Sequence, residues 1–169
     1  MIKNFKIVKV DYKYCDYLRN FDNKVCYNSG LKELRPFIGV LFIVNNFEYF
    51  APLSSPKVKH KNMKNNIDII KINRGVYGVV NFNNMIPVSS KNYKLFDLNK
   101  VPDNENELKR LNLLKNQLLW LNRNKNNVYK KAFSLYDKYK NNRLDERIRA
   151  RCCNFTLLEE KCIEYNKIN

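Results

Sequence analysis

The sequence predicts one α+β domain spanning residues 1–169, with a strongly curved antiparallel sheet and about four helices around it. The length is sufficient for one hydrophobic core and too short for two domains of ordinary size. Short runs of β-branched and aromatic residues separated by turn signals fill the first half, whereas helical periodicity dominates after residue 102. Helices that follow a block of hairpins are typical of the α+β class.

The chain opens with a predicted strand and a predicted helix. Phe5, Ile7 and Val10 bracket charged residues, as in a short β-strand. Asp11 is of a residue type that caps helices, and an aromatic and apolar stripe follows it at helical spacing. We expect this stripe to enter the core rather than to stack on nucleobases. Its members are Tyr14, Tyr17, Leu18 and Phe21.

Two hairpins are predicted next, because strand-forming runs flank residues that tolerate left-handed backbone. A further strand is expected at residues 85–88, after another Asn-Asn pair. The first half is therefore mainly antiparallel sheet. The predicted strand pairs are 37–44 with 47–53 around Asn45-Asn46, and 67–72 with 76–82 around Asn73-Arg74-Gly75.

Helical periodicity begins after Pro102. Leucines recur there at three and four residues, which predicts a long amphipathic helix with Trp120 covering the core beside them. A second apolar stripe follows an Asn-rich interval, and near the end Thr156 and Glu159 fit the capping-box pattern. The predicted helices cover residues 108–121, 128–139 and 157–165.

The charge of the chain indicates a polyanionic partner. Thirty-two Lys and Arg residues against sixteen Asp and Glu give a net charge of +16, and nucleic acid is the first candidate. The alternative is that abundant Lys and Asn reflect an AT-rich genome and only solvate the surface. The longest apolar run, residues 37–44, is far short of the ~20 residues of a membrane span. The start of the chain lacks the apolar region of a secretory signal, so we expect a cytoplasmic protein with no membrane contact.

The residue inventory restricts the chemistry. A single histidine excludes two-histidine ribonuclease chemistry, and there is no Gly-rich nucleotide loop. Five cysteines, none in a Cys-x-x-Cys pair, are interpreted as reduced thiols. Dispersed carboxylates leave a Mg²⁺ site open, but they form no compact motif, so we expect neither a metal nor another cofactor. These carboxylates are Asp68, Asp97, Asp103, Glu105 and Glu107.

Residues 51–61 carry the strongest local signal, an apolar run that ends in paired hydroxyls and is followed by basic side chains. Pro56 lacks a backbone donor, so the strand must stop there and leave Ser54 and Ser55 at its end. RNA supplies its own nucleophile, the 2′-OH, so the protein needs only to position the backbone and balance charge. Lys57 could neutralise the phosphate oxygens there.

Other side chains could assist, and each candidate has a plain alternative. Ser54 and Ser55 could donate hydrogen bonds to the phosphate or engage the 2′-OH, and Arg35 could hold a phosphate bidentately. Alternatively, the serines are turn residues, Arg35 caps a strand, and His60 is a solvent-facing side chain among lysines. The residues alone leave the general base open, since an unperturbed lysine is a poor base at neutral pH.

Five segments together resemble the ToxN/AbiQ family of endoribonuclease toxins from type III toxin–antitoxin systems, and in particular its AbiQ-like and CptN-like branch. The resemblance covers nearly the whole chain. The combination of the Ser-Ser-Pro-Lys and Cys-Asn-Phe segments, in this order, is its most specific part. The segments are residues 21–25, 35–40, 50–57 with His60, 80–88 and 153–161.

The resemblance implies a fold and an activity. The fold would be a compact, curved antiparallel sheet, a partial barrel, with surrounding helices. The activity would be metal-independent cleavage of single-stranded RNA to 2′,3′-cyclic phosphate and 5′-hydroxyl ends. The antitoxin would be an RNA pseudoknot, cut by the toxin from tandem repeats and inhibiting it in a closed toxin–RNA assembly. Cellular or phage RNA would be the substrate, and phage defence by abortive infection the outcome.

The resemblance also assigns roles to the site residues. It places the hydroxyl pair on Ser54 and Ser55, the basic residue on Lys57, and a further cation on Arg35. A tyrosine from the loop at residues 26–34 is implied as well, for which Tyr27 is the candidate. Contacts to RNA are expected from the basic faces, namely Lys59, His60, Lys61, Lys64 and Arg74.

Two other classes remain open beside the endoribonuclease. The first is a basic RNA-binding protein without catalytic activity, for which the charge of +16 alone would suffice. The second is a toxin that acts on DNA or on a protein target, which would arrest growth without producing RNA fragments.

Overall fold

The computed structural model describes residues 2–27 and 35–168. Within these ranges eight strands and six α-helices follow one another in the order that the periodicity predicts, with the sheet formed first and most of the helical residues later. The strands are β1 (Lys6–Val10), β2 (Phe37–Gly39), β3 (Ile43–Val44), β4 (Phe47–Ser54), β5 (Ile69–Lys71), β6 (Val79–Asn81), β7 (Ile86–Val88) and β8 (Tyr93–Leu95). The helices are α1 (Tyr12–Arg19), α2 (Val58–Asn62), α3 (Glu105–Arg123), α4 (Lys125–Lys140), α5 (Glu146–Arg151) and α6 (Phe155–Ile168).

The sheet is antiparallel at every pairing and is not closed. Its main path runs β5-β6-β4-β2-β1-β8, with β3 and β7 both attached to β4. The predicted α+β class is therefore confirmed. Four helices have eight or more residues, which agrees with the predicted number, and α2 and α5 are short additions.

Strand β4 is shared between two parts of the sheet, and this sharing produces the curvature. Its first half pairs with β3 and β7, with Phe50 opposite Ile86. Its second half pairs with β2 and β6, with Ala51 opposite Ile38 and Ser54 opposite Val79. A strand that changes partners along its length must turn between two strand directions.

Both predicted hairpin turns are present. Asn45 and Asn46 have φ of 47° and 66°, and Asn73 and Arg74 have φ of 47° and 57°, all in the left-handed region that asparagine tolerates. The strands are shorter than predicted, because the first limb divides into β2 and β3. In the second hairpin, residues 76–78 belong to the turn and not to β6.

The capping residues of α1 and α6 show where these two helices begin. Asp11 accepts a hydrogen bond from the Lys13 N–H at 2.9 Å, which confirms the start of α1. The predicted capping box at the last helix is wrong. Helix α6 begins at Phe155, and Asn154 takes the capping role by accepting from the Leu157 N–H at 3.1 Å. The glutamate of that motif has a different role.

Glu159 lies in the core, 8% exposed, and ties β4 to α4 and α6. Its carboxylate accepts hydrogen bonds from the hydroxyls of Tyr49 and Tyr136, both at 2.7 Å, and from the Lys140 ammonium at 2.8 Å. Tyr49 and Tyr136 pack against each other at 5.1 Å between ring centroids. Burial, and then the carboxylate, raise the pKa of Tyr49, so this hydroxyl stays protonated.

The remaining expectations on the core are met except at Phe21, which was expected to enter the core. All five cysteines are free thiols, and all but Cys26 are buried. Tyr14 and Leu18 of the first aromatic stripe are fully buried, whereas Phe21 is exposed. Among the described residues, no helix combines the length and the apolarity that crossing a bilayer would require.

We expect Glu159→Ala to lower the free energy of unfolding by about 3 kcal/mol or more, because two buried hydroxyls and a part-buried ammonium lose their acceptor. Urea denaturation measured by circular dichroism tests this. Glu160→Ala is the matched control, since its neighbouring carboxylate is exposed and should contribute less than ~0.5 kcal/mol. Equal unfolding midpoints for the two variants would contradict the role of Glu159.

Candidate active site

The segment with the strongest sequence signal lies where β4 ends. Ser54 is the last residue of the strand and is half-buried, whereas Ser55, Pro56 and Lys57 are exposed. The predicted strand end before Pro56 is therefore confirmed. Because Leu53 and the residues before it are buried and paired on both sides, the hydroxyls project from a rigid support.

Gly78 lets the next strand approach this end closely. Its φ is +88°, and a Cβ at this position would lie 1.9 Å from the carbonyl oxygen of Ser54 and 2.9 Å from the carbonyl carbon of Ser55. Its carbonyl also accepts a hydrogen bond from the Ile72 N–H at 2.9 Å, which closes the turn at residues 72–78. A glycine is required here both for the backbone conformation and for the space.

Asn81 orients the first hydroxyl. Its side-chain amide donates a hydrogen bond to Ser54 Oγ at 2.8 Å. Since Ser54 Oγ accepts this bond, its own hydroxyl hydrogen points elsewhere and can be donated. Sequence reasoning gave Asn81 no role. Its only signal was its place between Val80 and Phe82, inside one of the segments that carry the family resemblance.

His60 holds the backbone of Lys57 in place. Lys57 caps α2, and its backbone N–H donates to His60 Nδ1 at 3.1 Å, while the His60 N–H donates to the Lys57 carbonyl at 2.9 Å. His60 is only 3% exposed, so the interpretation of a solvent-facing side chain is wrong. On its other side, the His60 carbonyl lies 2.6 Å from where a Cβ of Gly75 would be.

Arg35 is brought to the same strand end by the register of β2. Phe37 lies opposite Pro52, and the Leu53 N–H donates to the Pro36 carbonyl at 2.9 Å. Continuing this register by two pairs beyond Phe37 places Arg35 opposite Ser54. Directly opposed residues in an antiparallel pair share one face of the sheet, so Arg35 and Ser54 are on the same face.

Tyr27 is 44% exposed, and the Arg19 guanidinium lies over its ring at 4.9 Å from the centroid. The rest of its loop, residues 28–34, lies outside the described residues. The assignment of Tyr27 to the site therefore stays a prediction.

The expected RNA contacts other than His60 are all exposed. Lys59 and Lys61 lie on α2, Lys64 follows it, and Arg74 is at the tip of the β5-β6 turn. They add positive charge to the helix that follows the strand end and to the turn whose Gly75 contacts that helix. Across residues 2–27 and 35–168, no three His, Cys, Asp or Glu side chains are grouped as metal ligands would be.

The buried imidazole predicts a pH dependence of stability. Burial, followed by the charges of Lys59 and Lys57, lowers the pKa of His60 from its ordinary value of 6.5. Between the folded and unfolded pKa values the unfolded chain binds more protons, so stability is full above about pH 6.5 and falls as pH decreases through the folded pKa. Because this is the only histidine, we expect His60→Gln to flatten the change in urea midpoint between about pH 7 and pH 5. An equal change in urea midpoint over this pH range for the two proteins would contradict this role of His60.

Nearly the whole chain is similar to known proteins. A family model described as "Toxin ToxN, type III toxin-antitoxin system" matches residues 6–163. Endoribonuclease ToxN of Bacillus thuringiensis subsp. kurstaki is 33% identical over an alignment of 168 residues, and the alignment covers 97% of this chain and 86% of that protein. Endoribonuclease ToxN of Pectobacterium atrosepticum is 31% identical, over 96% of this chain and 94% of that protein. Endoribonuclease AbiQ of Lactococcus lactis subsp. lactis is 31% identical, over 92% and 86%.

Solved structures extend the similarity to the fold. A type III toxin described as selectively inhibited by a non-coding RNA pseudoknot superposes with a TM-score of 0.82 at 30% identity, covering 97% of this chain and 99% of the other. AbiQ, described as a lactococcal anti-phage endoribonuclease, gives a TM-score of 0.79 at 25% identity, over 98% and 99%. The chain thus belongs to the ToxN family of endoribonuclease toxins from type III toxin–antitoxin systems.

Proposed function

We propose that this protein acts in the cytoplasm as a single-domain, metal-independent endoribonuclease. It cleaves single-stranded RNA by attack of the 2′-OH on the adjacent phosphate, leaving a 2′,3′-cyclic phosphate and a 5′-hydroxyl. The observation that carries the proposal is the strand end at which Ser55 and Lys57 are exposed beside a Ser54 hydroxyl oriented by Asn81.

Charge stabilisation is the main contribution that these side chains offer. As the 2′-oxygen attacks, negative charge grows on the non-bridging oxygens of the phosphate. Lys57 balances this charge, and Ser55 donates a hydrogen bond to one of these oxygens. Arg35, on the segment opposite Ser54, holds a phosphate. Removal of one such donor typically costs ~10² to 10³ in rate.

His60 has a positioning role in this scheme. Its Nδ1 already accepts the Lys57 N–H, and its side chain is 3% exposed, so it is poorly placed to take a proton from RNA. By fixing the start of α2 it sets the backbone from which the Lys57 side chain extends. Its predicted direct contact with RNA is accordingly replaced by support of Lys57.

The antitoxin partner is proposed from the relatives and from charge. A similar toxin is described as inhibited by an RNA pseudoknot, and another as an anti-phage endoribonuclease. We infer that this protein cuts its own repeat transcript into pseudoknot units, binds them in a closed assembly, and acts against phage by abortive infection. The net charge of +16 supplies the attraction for such an RNA.

We expect the purified protein to cleave single-stranded RNA in EDTA, and Ser55→Ala and Lys57→Ala to lower the cleavage rate at least ~10²-fold, because each removes a group that faces the transition-state charge. Cleavage is measured on end-labelled RNA, with the fragment ends checked for cyclic phosphate. Filter binding should show that Ser55→Ala still binds the RNA.

Ser90→Ala is the matched control, since Ser90 is also an exposed serine but lies on the turn before β8. It should cleave at the unaltered rate. No cleavage by the unaltered protein, together with intact RNA binding, would favour the RNA-binding protein without catalysis. Growth arrest without RNA fragments would favour the DNA or protein target.

Gly78→Ala tests the support of the strand end. The added methyl group overlaps the Ser54 carbonyl and the φ of +88° is strained for alanine, so the serines must shift. We expect cleavage to fall at least ~10-fold although Gly78 has no functional group. Asn73→Gly in the same turn is the control and should keep the rate, because glycine adopts the left-handed backbone of Asn73 without strain. Equal rates for Gly78→Ala and Asn73→Gly would contradict this account.

A further inference from the structure

A cavity of about 630 Å³ lies beside the strand end, where α2 and β5 meet α3 and α4. Four cationic side chains line it, together with the single tryptophan of the chain. These residues are Lys61, Lys71, Arg74, Lys131 and Trp120. The site described above uses neither Trp120 nor Lys131.

The cavity carries an excess of positive charge. All the residues that line it belong to the described part of the chain, and none is acidic. No carboxylate of the described residues forms an ion pair with any of its four cations. Partial burial lowers the pKa of Lys131, because its ammonium is partly removed from water, and the negative charge of Asp68 offsets only part of this effect. An anion bound here would offset that loss.

Two of the four cations are held in place by backbone carbonyls. Lys71 Nζ donates to the carbonyls of Lys61 and Met63, each at 3.1 Å, and Lys131 Nζ donates to the carbonyl of Ile69. A lysine ammonium has three hydrogens, so each keeps at least one for a ligand. The cavity is therefore formed before any ligand arrives.

The cavity is close to the serines. Lys71 pairs with Val79, which in turn pairs with Ser54. Since adjacent strands are ~4.8 Å apart, Lys71 and Ser54 are about 10 Å apart across the sheet. The turn at residues 72–78 forms one wall of the cavity through Arg74 and supports the strand end through Gly78.

We propose that this cavity binds single-stranded RNA a few nucleotides from the cleaved phosphate, with a base stacked on Trp120 and neighbouring phosphates held by Arg74 and Lys131. An aromatic ring set among cations is the combination with which proteins hold single strands. The inference rests on the proposed RNA cleavage and adds a second point of contact to it. Trp120 thus covers the core, as predicted, and also serves the ligand.

The fluorescence of Trp120 provides a direct test. The Ser55→Ala protein, which leaves RNA intact, is titrated with a short mixed-sequence single-stranded RNA. Because the chain has no other tryptophan, stacking should quench the emission in a saturable way. Trp120→Leu should weaken binding of labelled RNA about fivefold or more, measured by anisotropy after circular dichroism has confirmed folding.

Salt dependence distinguishes phosphate contacts from a general effect of charge. Arg74→Ala and Lys131→Ala should each reduce the slope of log K against log salt by ~0.7, the value for one phosphate contact with a single strand. Lys94→Ala removes the same charge from β8, at the opposite edge of the sheet, and should leave slope and quenching unchanged.

Absence of quenching, or equal weakening by Lys94→Ala, would overturn the cavity as an RNA subsite. The unaltered protein is tested for cleavage in parallel. Cleavage without quenching would support the proposed endoribonuclease activity and contradict only the RNA subsite. Quenching without cleavage supports the subsite and removes the proposed reaction, so the two failures are separable.

Discussion

The pairing of β4 with four other strands is the constraint on which the rest of the molecule depends. Its residues 49–53 are buried, so both faces of the strand are covered and both of its edges are paired. Glu159 and the tyrosines around it attach the helices to the first half of this strand. The second half leads without interruption to Ser54. Core and site are therefore two ends of one element.

At this end of β4 the chain changes within three residues from a rigid, paired strand to side chains that a ligand can reach. Ser54 is still paired and hydrogen-bonded, whereas Ser55 and Lys57 have left the sheet and are exposed. Exposed side chains are normally positioned less precisely than buried ones. Proteins restore precise positioning by fixing the backbone that carries these side chains. Here Gly78 and His60 fix that backbone, neither of them through a group that faces solvent.

The sequence predicted those features that depend on neighbours along the chain. Turns at Asn45-Asn46 and Asn73-Arg74 follow from local backbone preference, and the long helices follow from the spacing of apolar residues. Features set by distant contacts were missed or misjudged. Glu159 has the spacing of a capping residue, but two tyrosine hydroxyls far away in the sequence hold it in the core. Similarly, His60 is buried where its backbone carbonyl meets Gly75, and no local pattern reveals this close approach.

The bond between Lys131 and β5 also affects how copies of this protein behave toward each other. An open sheet leaves edge strands, and β5 is one of them. Unpaired edges invite a strand from another molecule, which leads to aggregation. At Ile69 both backbone groups are already used, the N–H by the Asn66 carbonyl and the carbonyl by Lys131. A sheet that never closes into a barrel is thereby shielded at this edge from strand-by-strand polymerisation, even where many copies are crowded together.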